Sequence, residues 1–355
     1  MGKWGRTLAN LVERLNSVYS GQRILVTGHN GFKGSWLVAL LNYLGAEVVG
    51  LSLEIDDESP FKNFHSSGTH GSITQDIRDF SGLNTIICDI NPNLVFHLAA
   101  QPLVLKSYEI PRETFETNVQ GTANLLSALN GPNLKGVVVA TTDKVYLNDE
   151  SGREFKEQDQ LWGHDPYSLS KTGTELVVDA WRKLSNFSSI PLVTVRAGNV
   201  FGPGDRAKDR LFCDLVNSAS TGSQLVIRNP QSIRPWQFVL DPLMGYLMVG
   251  EAILTGQKVS HSYNFGPSSD SFINVQTFTH EFTKHFPVDC TFEENTNTKE
   301  SKILKLNSDL AQIELGWTPM TSIEDGLAIS IAQELPQIKF ENPRILIEDY
   351  LNLWR

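Results

Sequence analysis

The sequence predicts a doubly wound α/β fold built on a parallel sheet, followed by a smaller C-terminal α/β lobe. Three observations carry this expectation. Through the first 195 positions, short runs of β-branched and small apolar residues alternate with segments of helical periodicity, the pattern of successive β-α-β units. The first run ends in a glycine-rich turn that opens a helix. From Gly198 the texture changes to short elements broken by Gly202, Pro203, Gly204, Pro230, Pro235, Pro242, Gly266 and Pro267. The expected division is a helical extension over 1–20, a sheet domain over 21–195 joined by about 236–265, and a lobe made of 196–235 and 266–355.

Taken in order, Met1 to Ser20 is a mixed amphipathic stretch in which Arg6, Glu13 and Arg14 interrupt the apolar residues. It reads as a surface helix rather than a secretory signal. Gln22 to Thr27, centred on Ile24-Leu25-Val26, reads as the first buried strand. Gly28-His29-Asn30-Gly31-Phe32-Lys33-Gly34 follows, then helical spacing from Ser35 to Leu44. Glycines there allow a tight turn and a close backbone approach, so a pyrophosphate can sit on the helix N-terminus. This makes the sheet domain a Rossmann-type dinucleotide site, with Gly28, Asn30, Gly31, Phe32 and Gly34 as candidate contacts.

Glu47 to Leu53 reads as the second strand, and Glu54 follows it without a nearby arginine, which favours NAD over NADP. Asp76 and Ile77 are candidates for the adenine end. Thr85 to Asp89 reads as helix and Leu94 to Ala100 as a buried strand, whose small Ala99-Ala100 end lets backbone pass a flat cofactor. Gln101, and Asn118 within a helix running to Leu129, complete the cofactor candidates. Val137 to Ala140 is the next strand and delivers Thr141-Thr142-Asp143-Lys144; a helix from Ser168 to Leu184 carries Tyr167 at its start and Lys171 one turn on. Val193 to Arg196 is a further strand. In the lobe, Leu225 to Ile227 and Phe238 to Leu240 read as strands, and Gly245 to Leu254 and Val275 to His285 as helices.

Composition limits the partners. The formal net charge of −10 over 355 residues, with no Lys/Arg run, argues against a nucleic-acid binder. No apolar run reaches membrane-span length. Three cysteines, Cys88, Cys213 and Cys290, suit neither a disulfide framework nor a metal site, and the eight histidines show no ligand spacing. A cytoplasmic protein without a metal is expected.

Several motifs carry a resemblance. Residues 28–36 (Gly-His-Asn-Gly-Phe-Lys-Gly-Ser-Trp), 97–104 (His-Leu-Ala-Ala-Gln-Pro-Leu-Val) and Thr142-Asp143-Lys144 resemble the extended short-chain dehydrogenase/reductase superfamily, and within it the CDP-glucose 4,6-dehydratases. So do Asp165-Pro166-Tyr167-Ser168, Arg196-Ala197-Gly198-Asn199-Val200 and Ile233-Arg234-Pro235-Trp236-Gln237. The likeness runs from about Gly21 to Pro319. Val145, Phe238 and Arg206 depart from it, standing where cysteine, histidine and tryptophan are usual. The resemblance implies a tightly bound NAD that is reduced and reoxidised in one turnover, a nucleotide-sugar substrate, a substrate-binding C-terminal lobe, and a homodimer or homotetramer.

The chemistry expected of the cluster follows. Tyr167 would take the proton of a sugar hydroxyl, which requires its phenol to move from about 10 to about 7, roughly 4 kcal/mol of differential stabilisation. A cationic Lys171 and an oxidised nicotinamide would supply it, and Lys171 would hold the nicotinamide ribose. Thr142 would bond the same hydroxyl. Asp143 would protonate a departing C6 hydroxyl once C4 is a ketone. Lys144 stands where dTDP-sugar relatives carry a glutamate; it is either the C5 base or an electrostatic stabiliser of the enolate. Arg234 would grip the diphosphate by its fork, with Asn199, Arg206 and Arg210 as further contacts. Two alternatives stand beside this reading: a nucleotide-sugar 4-epimerase, which needs no acid at 143, and a non-catalytic dinucleotide-sensing protein on the same fold.

Overall fold

A computed structural model describes residues 9–55, 59, 71–294, 301–334 and 343–354. Helix α1 (Ala9–Tyr19) leads into β1 (Arg23–Thr27), α2 (Phe32–Tyr43), β2 (Glu47–Ser52) and β3 (Gly71–Thr74). Then come α3 (Phe80–Ile90), β4 (Leu94–His97), α4 (Val104–Glu109) and α5 (Pro111–Phe115), which runs through a wide π turn over Glu116–Gln120 into α6 (Gly121–Ala128). β5 (Gly136–Ala140), α7 (Pro166–Arg182) and β6 (Leu192–Ala197) complete the alternation. The remaining elements are β7 (Asn199–Phe201), α8 (Leu211–Thr221), β8 (Leu225–Arg228), β9 (Ile233–Phe238), α9 (Leu240–Leu254), β10 (Ser262–Phe265), β11 (Phe272–Asn274), α10 (Val275–His285), β12 (Cys290–Glu293), α11 (Asp309–Leu315), α12 (Ile323–Glu334) and α13 (Pro343–Asn352).

The main sheet has the order β3-β2-β1-β4-β5-β6-β10, and each neighbouring pair is parallel. Its strands are apolar on both faces because helices cover both. Ile24 and Val26 of β1 enter one core with α2 and α9, while Leu25 between them enters the other with α3, α6 and α7. Strand order reverses between β1 and β4, and the crevice beyond their carboxyl ends is where such sheets bind ligands. The lobe adds a three-stranded sheet, β11-β9-β7, and the parallel pair β12-β8.

Three elements differ from the sequence reading. The strand expected over Phe238 to Leu240 lies earlier, at Ile233–Phe238, and the helix expected from Gly245 already starts at Leu240. Residues 240 to 253 of α9 are all buried, so its apolar pattern lacks the polar stripe that marks a helix. The helix expected at Thr85 to Asp89 is longer, because Asp79 caps α3 by accepting from the Gly82 N–H.

Candidate active site

The crevice is lined first by the turn after β1. Gly28 has φ +72°, and a Cβ there would lie 2.6 Å from the Ala99 N atom. The backbones of the β1 and β4 ends therefore approach as closely as only glycine permits. The Leu98 N–H donates to Thr27 O, and the Gly31 N–H closes the turn on Gly28 O. Asn30 ties this turn to β2: its N–H donates to Ser52 Oγ (3.2 Å) and its Nδ2 to Leu53 O (2.9 Å). Gly31 is the N-cap of α2, so the helix presents its first N–H groups to the crevice with Phe32 and Gly34 in its first turn. These features fit a dinucleotide pyrophosphate.

The other cofactor candidates are placed as follows. Asp76 is held by Arg78, whose Nη2 donates to Oδ2 at 2.6 Å, and this pairing keeps its carboxyl below the ordinary range. Ile77 lies in the apolar core against the Cβ-less face of Gly121. Asn118, in the π turn, accepts from the Gln101 N–H (2.8 Å) and donates to Gln101 O (3.1 Å) and Ser170 Oγ (2.8 Å). It thus clamps the Ala99-Ala100-Gln101 segment against α7. The Gln101 side chain turns into its own loop, bonding Leu103 and Thr114.

Two caps deliver the reactive cluster. Thr142 opens a short helical turn over Asp143–Val145 at the end of β5. Asp165 caps α7 by accepting from the Ser168 N–H and Oγ, with Pro166 at the first helical position. Tyr167 and Lys171 are consequently buried one turn apart on α7. Thr142 forms a hydrogen bond with the Tyr167 phenol and donates to Asp143 Oδ1 at 2.9 Å. Asp143 is buried, and its Oδ2 has no hydrogen-bond partner among the described residues. Lys144 places Nζ 4.0 Å from Asp143 Oδ1 and 3.5 Å from Asn199 Oδ1.

The phenol departs from the expected shift. Burial pushes Tyr167 up to about 12; the Thr142 bond and the Arg210 charge oppose this, while Asp143 adds to it. Lys171 is pushed down to about 7, by burial first and the charge of Lys33 second, with Glu175 opposing. Its Nζ donates to Ala140 O at 3.0 Å. The protein's own groups therefore hold the phenol neutral, and a cationic dinucleotide ring would act in the opposite sense. Behind the cluster, Glu175 accepts from Thr141, Thr194 and Arg196, a buried network that fixes β5, β6 and α7 to one another.

A cleft of about 440 Å³, open to solvent, lies beside the cluster and is lined by Lys144, Asn148, His164, Ser168 and Arg234 among others. Arg234 is buried on β9 and donates to Ile233 O and Lys302 O. Arg210 is bound to Asp205 (2.8 Å) yet close enough to act on Tyr167. Arg206 is not among the cleft-lining residues; it is committed to Glu334 of α12 at 2.6 Å.

Sequence reasoning passed over Lys33, which the structure brings to the cluster, and His164, which accepts from the Asn148 N–H at 3.2 Å on the cleft wall. For Lys33 a signal was present: a cation in the first turn of a helix opposes the macrodipole and needs a reason.

A family model described as GDP-mannose 4,6 dehydratase matches residues 25–329. A CDP-glucose 4,6-dehydratase of Salmonella typhimurium is 39% identical over 349 residues, covering 94% of this chain and 97% of that protein. A dTDP-glucose 4,6-dehydratase of Haemophilus influenzae is 27% identical, covering 86% and 95%. Among solved structures, MoeE5 in complex with UDP-glucose and NAD superposes with a TM-score of 0.75 at 25% identity, covering 87% and 97%. DesIV, a dTDP-glucose 4,6-dehydratase from Streptomyces venezuelae, gives 0.76 at 24% identity over 87% and 96%, a likeness of fold.

Proposed function

Because the chain belongs to the GDP-mannose 4,6 dehydratase family of extended short-chain dehydrogenases/reductases, we propose that it is an NAD-dependent nucleotide-sugar 4,6-dehydratase whose substrate is CDP-D-glucose. The observation that carries the reading is the buried carboxylate of Asp143 beside Thr142 and Tyr167, with one oxygen left for a ligand. An epimerase has no use for that group.

NAD, held by the β1 turn, the first N–H groups of α2 and Lys171, supplies an acceptor for the C4 hydrogen and returns it at C6. Thr142 and Tyr167 bind the 4-hydroxyl, and the Tyr167 oxygen takes its proton. Lys171 stabilises the phenolate in its charged form. With C4 a ketone, the C5 hydrogen is acidic; Asp143 gives its proton to the C6 oxygen, which leaves as water. Lys144, held between Asp143 and Asn199, either takes the C5 proton and returns it to C5 once hydride has reached C6, or stabilises the enolate while solvent in the open cleft takes and returns that proton. Arg234 on the cleft wall takes the diphosphate, supported by Asn199 and by Arg210. The product is CDP-4-dehydro-6-deoxy-D-glucose plus water, with no net change in NAD.

The reading extends to assembly. Phe115 of α5 and Leu176 of α7 are large exposed apolar side chains on helices that pack together, which supports a homodimer formed through these helices. No helix among the described residues is long and apolar enough to cross a membrane, and the three cysteines are unpaired, which suits a cytoplasmic enzyme.

The test is turnover of CDP-, dTDP-, GDP- and UDP-glucose, followed by the absorbance of the keto product in alkali. CDP-glucose is expected to give product fastest. Preference for another base overturns the substrate; no keto product from any of the four overturns the activity.

A further inference from the structure

His164 stands on the cleft wall immediately before the cap of α7, and belongs to none of the motifs that carry the family likeness. Its backbone is held on both sides. The Gly163 N–H donates to Thr172 Oγ1 at 3.3 Å, and a Cβ at Gly163 would collide with the Ser168 backbone, so the chain there is pressed against α7. On the other side Asp165 accepts from the Ser168 N–H at 2.9 Å. The imidazole itself is exposed and lines the cleft.

One ring nitrogen is committed. The Asn148 N–H donates to His164 Nε2 at 3.2 Å. A backbone amide can only donate, so Nε2 carries no proton and the ring is the Nδ1–H tautomer. Asn148 is fixed from two further directions: its Oδ1 accepts from the Glu150 N–H at 2.9 Å, and its Nδ2 donates to Ile303 O at 2.8 Å. Glu150 in turn accepts from the Lys302 and Ile303 N–H groups through one carboxylate oxygen. These bonds tie the loop after β5 to the segment that brings Ser301 and Leu304 to the cleft. The Nδ1–H of His164 is left as a donor with no partner among the described residues. Lys144 and Arg234 line the same cleft, so a ligand that fits it is rich in acceptor oxygens.

We infer that His164 is a substrate-binding residue: through Nδ1–H it donates to an acceptor oxygen of the nucleotide sugar, on the hexose or on the diphosphate. Asn148 is the positioning residue that holds the ring in its donating tautomer. This rests on the dehydratase reading of the cleft. The donor is neutral, so it selects an oxygen by position, and its loss weakens binding without touching proton transfer at Tyr167.

The experiment separates the two ring positions. Asparagine carries its amide at the place of Nδ1, so His164→Asn keeps the donor and loses the acceptor for the Asn148 N–H. Glutamine reaches the place of Nε2, so His164→Gln keeps that acceptor and loses the donor. Dissociation constants for CDP-glucose, CDP and NAD are measured by calorimetry on wild type and both variants. His164→Gln should weaken CDP-glucose about five- to tenfold, and His164→Asn by less than about twofold, on the scale of one hydrogen bond. NAD should bind all three alike. Equal weakening of CDP puts the oxygen on the diphosphate; unchanged CDP binding puts it on the hexose. The opposite ranking, with His164→Asn the poorer binder, overturns the inference and makes the imidazole a structural acceptor; undiminished binding in both variants overturns it too. Nitrogen NMR of the wild type tests the same point without a variant. Nδ1 should be protonated and its resonance should shift on adding CDP-glucose, whereas a protonated Nε2 or an unmoved resonance overturns the inference. Weaker CDP-glucose binding in His164→Gln, with no keto product from wild type, upholds the contact and sinks the dehydratase reading. Normal turnover with unaltered binding in both variants does the reverse, and a wild type that binds neither CDP-glucose nor CDP sinks both.

Discussion

Thr142 and Asp143 are adjacent residues whose side chains are bonded to each other: Thr142 Oγ1 donates to Asp143 Oδ1 at 2.9 Å, while Oδ2 of the same buried carboxylate meets no partner. A buried carboxylate oxygen without a donor costs free energy unless a ligand completes it. Asp143→Asn keeps the Thr142 bond but cannot deliver a proton. Elimination should slow by at least about a hundredfold, the usual scale of general acid catalysis. Oxidation at C4 should continue, so absorbance at the reduced nicotinamide wavelength should accumulate in a stopped-flow trace. Normal turnover would remove Asp143 from the acid role.

Tyr167→Phe should abolish oxidation at C4, with no reduced cofactor in single turnover, because it removes the phenol oxygen that takes the hydroxyl proton. Binding of the nucleotide sugar should change by less than about tenfold, the value of one lost hydrogen bond.

Thr142→Val removes the hydrogen bond that lowers the Tyr167 phenol against its burial. The phenolate is the base, so the rate of C4 oxidation rises with pH, and the variant's rise should lie at higher pH than that of wild type. At neutral pH the loss should be about ten- to a hundredfold, as expected for a bond to a charged group, and raising the pH should recover part of it.

Gly28→Ala would place a Cβ 2.6 Å from the Ala99 N atom at a residue with φ +72°. Both the backbone conformation and the space are wrong for a side chain. The variant should lose NAD binding, measured by titration, and melt at a lower temperature than wild type.

Glu175 and Arg196 form a buried pair at 2.8 Å beneath the cluster. Burial alone would raise Glu175, yet Arg196 and the Thr141 and Thr194 hydroxyls hold it below its ordinary value of 4.5. A depressed carboxylate stabilises the fold above its unfolded value and loses that contribution as pH falls through the folded one. Glu175→Ala should cost about 3–5 kcal/mol by leaving Arg196 buried and unpaired, and part of the wild-type stability loss below about pH 4.5 should vanish in the variant. Thermal unfolding across pH checks both.

Much of this was legible in the sequence for identifiable reasons. β5 is an unbroken apolar run with a polar end, and Asp165-Pro166 announces the start of α7, so the positions of Thr142, Asp143, Tyr167 and Lys171 followed from local chemistry. The glycine turn was equally local. What was not legible depended on distance or on burial. α9 is apolar all round, so its first residues read as a strand. The partner of Arg206, Glu334, lies 128 residues away, so no local pattern announces that pair. Burial, which only the folded chain shows, raises the Tyr167 phenol against the neighbouring charges.

The central claim is that oxidation at C4 is coupled to loss of water across C5 and C6, and the fate of a C4 label tests it most directly. CDP-D-glucose deuterated at C4 should give a 4-keto-6-deoxy product with the deuterium in its C6 methyl group, read by NMR. Deuterium returned to C4 of an unchanged or epimerised sugar would contradict it.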